Sequence, residues 1–150
     1  MLRDDLQNSL KEAMKQRDTK TVSAVRLIIA GQKEKDVEAR GKGLEKASDT
    51  DLLAMMQTMV KQRNESIRIY KESGRDDLAS KEQDEIDVIT RFLPKQMSAD
   101  EMSNAIKAVI AATGAAGIKD MGKVMGLLKT QYTGQMDFGA ASAMIKQLLS

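Results

Sequence analysis

Apolar residues recur along the chain every three or four positions, the pattern of helices that bury one face. Leu2, Leu6, Leu10, Ala13 and Met14 make the first stripe. Asp18 or Thr19 can cap a second helix, with Val22, Val25 and Ile29 on one side. Arg40-Gly41-Lys42-Gly43 is charged and broken by glycine, and reads as a loop. Ser48 or Asp49 then opens the longest predicted helix, where Leu52, Leu53, Met56, Met59, Val60, Ile67 and Tyr70 keep the helical period up to Gly74. A fourth helix carries Leu78, Ala79, Ile86, Ile89 and Leu93. No strand-length run of alternating β-branched residues occurs. The nearly continuous apolar run from Thr21 to Ile29 fits a buried helix.

Pro94 disfavours helix at Leu93 and removes a backbone donor. Residues 1–94 contain 36 charged side chains and residues 95–150 contain 10, while six of the ten glycines follow Pro94. This change places a domain boundary at Pro94–Met97. Beyond it, Ser98 and Glu101 are spaced as a capping box ahead of Met102, Ile106, Val109 and Ile110. Thr113-Gly114 stops that helix. Met121, Val124, Met125 and Leu128 predict a second, closed by Tyr132-Thr133-Gly134. Asp137 can cap a third, with Phe138, Ala141, Ile145, Leu148 and Leu149 facing inward. The expected fold is all-α: a bundle of about four helices over 1–94 and a three-helix tail over 95–150. So small a tail is expected to be marginally stable or to lean on the first unit.

Composition narrows the chemistry. The chain has no Cys and no His, which removes thiolate nucleophiles, disulfides, imidazole catalysis and Cys/His zinc sites. No catalytic constellation, cofactor motif or metal-ligand spacing emerges from the residues that are left. There is no apolar run of about 18 residues, so no membrane span is expected. The start, Met1-Leu2-Arg3-Asp4-Asp5, carries acids where a signal peptide needs a basic segment, so the expected location is cytoplasmic. The formal charge is +2, and all of the excess lies in 95–150. There, six lysines face the four acids Asp100, Glu101, Asp120 and Asp137. This tilt points weakly toward a polyanionic partner.

Gly117 to Val124 matches most of a phosphate-binding loop, but Val124 stands where magnesium needs a hydroxyl, and the segment follows a helix rather than a strand. A short helix in which Gly122 and Gly126 admit a close neighbour is the simpler reading. Lys119 and Lys123, four apart, share a helical face and could straddle a phosphate backbone, with Lys129 near the helix end. The acids Glu82, Asp84, Glu85 and Asp87 lack a calcium-loop spacing and read as a solvated face. The eleven methionines fall mainly on apolar helical positions, as core filler. Only Tyr70, Phe92, Tyr132 and Phe138 are aromatic, which leaves little for stacking on bases.

The segments Leu93-Pro94-Lys95-Gln96-Met97-Ser98, Lys119-Asp120-Met121-Gly122-Lys123-Val124-Met125 and Thr133-Gly134-Gln135-Met136-Asp137-Phe138 resemble the YqeY family, in the family's order. Arg26, Gln62-Arg63-Asn64-Glu65-Ser66-Ile67 and Tyr70 extend the resemblance over the whole chain. That family is similar to the C-terminal helical part of GatB, a subunit of the glutamine-dependent tRNA amidotransferase, whose tail touches tRNA near its elbow. The resemblance implies two helical units and a tRNA-related, non-catalytic adaptor role. Lys119, Gly122 and Lys123 would form the contact, with Lys129 and Lys146 at its rim. It also implies, as alternatives, docking on an aminoacyl-tRNA synthetase or amidotransferase, or a share in carbon–nitrogen ligation with glutamine as amide donor.

Overall fold

The computed structural model describes residues 1–150 and contains α-helices, one short 3-10 turn and no strand. Two compact units divide at Pro94: Met1–Pro94 and Lys95–Ser150. The first holds α1 (Leu2–Lys15), α2 (Thr19–Gly41), α3 (Asp49–Glu72) and α4 (Asp76–Thr90). The second holds α5 (Ala99–Thr113), the 3-10 turn Ile118–Asp120, α6 (Met121–Gln131) and α7 (Phe138–Leu149).

Local chemistry starts most of these helices where the sequence predicts. The Asp18 carboxylate accepts from the Thr21 amide at 3.1 Å. Ser48 and Asp51 exchange reciprocal side-chain-to-amide bonds, each 3.1 Å, and so satisfy two donors that every helix start leaves free. At α5 only half of that exchange forms. The Ser98 hydroxyl accepts from the Glu101 amide at 3.1 Å, and the Glu101 carboxylate takes the proton of the same hydroxyl rather than the Ser98 amide. A hydroxyl both donates and accepts, so it can serve both ends of the pair.

Two boundaries and one buried position differ from expectation. α2 runs on through Arg40 and Gly41, and the turn comes at Lys42 and Gly43, whose φ of +83° is the left-handed conformation that glycine adopts without penalty. α4 stops at Thr90, three residues before Leu93, so Leu93 packs from a turn ahead of Pro94 rather than from the helix. Leu148, expected inward, is 45% exposed. α7 packs mainly on α6 and α5, and the strip Ala141-Ile145-Leu149 is buried in that contact.

The core of the first unit is Leu6 from α1, Ala24, Val25, Ile28 and Ile29 from α2, Met56 from α3, and Val88 and Ile89 from α4. Gly31 lets α3 approach α2 closely, because a Cβ there would stand 2.7 Å from the Met55 sulfur. The tail has its own core, built on Met102, Ile106, Val109, Val124, Leu128 and Ile145. Met136, from a turn that shows no periodicity, fills it at 1% exposure. Each large side chain so buried contributes about 1.5–3 kcal/mol.

Candidate nucleic-acid interface

The resemblance motifs divide by what their residues do in the fold. The segment after Pro94 is bonded to the turn before α7: the Met97 amide donates to the Gln135 carbonyl at 2.8 Å, and the Gln96 side-chain amide donates to the Gly134 carbonyl at 2.6 Å. Asp137 caps α7 by accepting from the Gly139 and Ala140 amides at 2.9 and 3.2 Å. These two motifs therefore close the tail on itself. In the first unit, Arg63 is the tie between α3 and α4. Its Nε lies 2.8 Å from a Glu85 oxygen and 4.0 Å from Glu82. Asp84 pairs with Lys20 at 3.1 Å, and Asp87 accepts from the Gln83 side chain. The acid-rich stretch of α4, expected as a solvated face, thus works partly as a set of tertiary ties. Its acids form no metal-holding group.

The remaining motif, over the 3-10 turn and α6, is different. Val124 is fully buried, and Met121 and Met125 pack against the tail core. The Asp120 carboxylate turns back to accept from the Ala116 amide at 3.0 Å. That bond, helped by the Gly117 amide and the charges of Lys119 and Lys123, holds Asp120 below the ordinary carboxylate range, so it is ionised at neutral pH.

Lys119, Gly122 and Lys123 have no such task. All three are exposed. Every ion pair of the chain lies in the first unit, so neither lysine is neutralised by a carboxylate at bonding distance. Gly122 and Gly126 were expected to admit another helix. Instead, a Cβ at either would meet nothing within 4 Å, because both face solvent on the side of α6 opposite Val124 and Leu128. Lys119 and Lys123 both stand close enough to Asp120 to lower its pKa. Both lie at the start of the turn-and-helix segment, where the backbone dipole disfavours cations. Lys129 and Lys146 sit instead in the last turns of α6 and α7, where the dipole stabilises them. At 3.6 residues per turn, Lys129 is also about 120° around α6 from Lys123. Lys119, Gly122 and Lys123 are thus exposed within five residues of one another, and Lys129 and Lys146 have an independent structural reason for their positions.

A family model described as "Yqey-like protein" matches residues 3–149. The chain belongs to the YqeY family. Among curated YqeY-type relatives, it is similar to "Altered inheritance of mitochondria protein 41, mitochondrial" of Saccharomyces cerevisiae, at 32% identity over 117 residues covering 76% of this chain and 62% of the relative. The protein of that name from Candida glabrata is 36% identical over 88 residues, 59% of this chain and 47% of the relative. In Lachancea thermotolerans the figures are 32% over 97 residues, 65% and 50%. The chain thus spans less than two thirds of the length of these relatives. Their names place them in mitochondria, so a plainly cytoplasmic location does not carry over from them. No helix here is long and apolar enough to cross a membrane.

Proposed function

We propose that this YqeY-family chain is a non-catalytic tRNA-binding adaptor whose tail grips the RNA backbone and presents the tRNA body to an enzyme acting on it, an aminoacyl-tRNA synthetase or an amidotransferase. The observation that carries this reading is the exposed trio Lys119, Gly122 and Lys123, without ion pairs, in a motif whose other residues are committed to the fold. Ammonium groups beside a helix surface that lacks side chains suit close contact with phosphates and carry no sequence selectivity. Scarce aromatics agree with recognition by backbone and shape, the usual mode for helical RNA. Lys129 and Lys146 would add long-range attraction from the rim. The role suits whichever compartment, cytoplasm or mitochondrion, holds the tRNA that the chain meets.

With roughly three or four phosphates engaged, binding is weak and salt-sensitive. Fluorescence anisotropy with labelled bulk tRNA at low and at physiological ionic strength tests this. Binding at low salt that Lys119→Ala/Lys123→Ala reduces about tenfold or more supports the proposal. Absence of binding at low salt, or equal affinity of the double variant, removes it.

A further inference from the structure

The α1–α2 corner of the first unit carries a feature that the RNA reading does not use. An open groove of about 740 Å³ lies there, lined by Met14 from the end of α1, Arg17 from the turn that follows, and Val22, Arg26 and Leu27 from α2. Met14 is 53% exposed and Leu27 42%, although Met14 belongs to the first apolar stripe and Leu27 to the apolar run from Thr21 to Ile29. The inward side of α2 is complete without them, being covered by Ala24, Val25, Ile28 and Ile29. The nearly continuous apolar run of α2 thus supplies more apolar surface than the core takes up.

The charges of this groove are of one sign. No acid lines it. The guanidinium groups of Arg17 and Arg26 are exposed and make no ion pair or hydrogen bond. The nearest acid in sequence, Asp18, is engaged by the Thr21 amide at 3.1 Å and the Thr21 hydroxyl at 2.6 Å. Arg17 also has an unusual backbone. Its φ of +55° is left-handed, while the other positive-φ residues of the chain are all glycines. A side chain in that conformation is disfavoured relative to glycine, so arginine is kept here at a conformational cost.

We infer that this groove docks an acidic amphipathic helix of a partner protein, with an apolar side chain seated between Met14 and Leu27 and carboxylates on Arg17 and Arg26. Charge complementarity favours an acidic occupant. The apolar floor favours a protein helix over an RNA backbone, which offers phosphates but no aliphatic surface. Arginine suits the role because its planar guanidinium binds a carboxylate through two parallel hydrogen bonds.

The test uses the full chain and a fluorescent helical peptide bearing a leucine stripe flanked by glutamates, with a lysine-for-glutamate version as control. Affinity is read by anisotropy, and position by the methyl resonances of Met14, Val22 and Leu27. The glutamate peptide is expected to bind and to move those resonances. Arg26→Glu should weaken it about tenfold or more. Arg17→Gly should weaken it while leaving the protein at least as stable, since glycine relieves the left-handed strain. Lys119→Ala/Lys123→Ala should leave peptide binding unchanged, so this result and the RNA result fail separately. Equal binding of both peptides, insensitivity to Arg26→Glu, resonances at other positions moving instead, or methyl shifts produced by tRNA and not by the peptide would each overturn the inference.

Discussion

Asp36 shows how one residue can hold a loop. It is 8% exposed, on α2, and its carboxylate takes a two-pronged bond from the Arg3 guanidinium at 2.7 and 2.9 Å. The same carboxylate accepts from the Ala47 amide at 2.9 Å, and Arg3 donates to the Ala47 carbonyl at 2.7 Å. The start of α1, the end of α2 and the approach to α3 are thereby joined. The bond from Arg3 holds Asp36 at about 2, against an ordinary value of 3.8, overcoming the opposing effect of burial. The folded state binds this proton less readily than the unfolded chain, so the group stabilises the fold fully above pH about 4 and loses that contribution as pH falls toward 2. Asp36→Asn is expected to lower stability at neutral pH by roughly 2 kcal/mol, through the lost charge-assisted bonds to Arg3. It should also flatten the decline in stability between pH 4 and 2, as followed by urea unfolding at several pH values. None of this was legible in the sequence, since the two partners stand 33 residues apart and neither position differs from an ordinary surface charge.

At the scale of single helices, the sequence is most informative where the physics is local. Caps at Asp18, Ser48, Ser98 and Asp137 follow from bonds that span two or three residues, and all four form. The core face of α6 follows from period alone. What period does not give is which outward positions meet a neighbour. Gly122 and Gly126 look in sequence like a packing notch and are open to solvent, while Met136, isolated among polar turn residues, is core. Glycine inside an exposed helix costs up to about 1 kcal/mol against alanine and here gains no packing in return. Gly126→Ala and Gly122→Ala are therefore expected to raise the melting temperature, and Gly122→Ala also to weaken tRNA binding by placing a methyl group between backbone and phosphate. If both properties improve, the bare surface has no part in RNA contact. Gly114→Ala should do the reverse for stability, lowering the melting temperature, because the φ of +67° that ends α5 is left-handed.

For the molecule as a whole, the division at Pro94 separates two kinds of surface. The first unit contains all the ion pairs, including the part-buried ties of Arg3 and Arg63. In the tail, all four acids stand at helix starts and none of the six lysines lies within ion-pair distance of a carboxylate. The sequence shows the excess of lysine, and the structure shows why that excess stays uncompensated. Composition alone cannot tell a lysine that steadies a helix end, as Lys129 and Lys146 do, from one with no task inside the fold. The central claim is that Lys119 and Lys123 contact RNA phosphates, and the salt dependence of tRNA affinity tests it most directly. Each phosphate neutralised releases counterions, so removing two contacts should make the slope of log affinity against log salt shallower by about 1.5 to 2. The account predicts that change for Lys119→Ala/Lys123→Ala relative to the unaltered chain. Parallel slopes for the two proteins would contradict it.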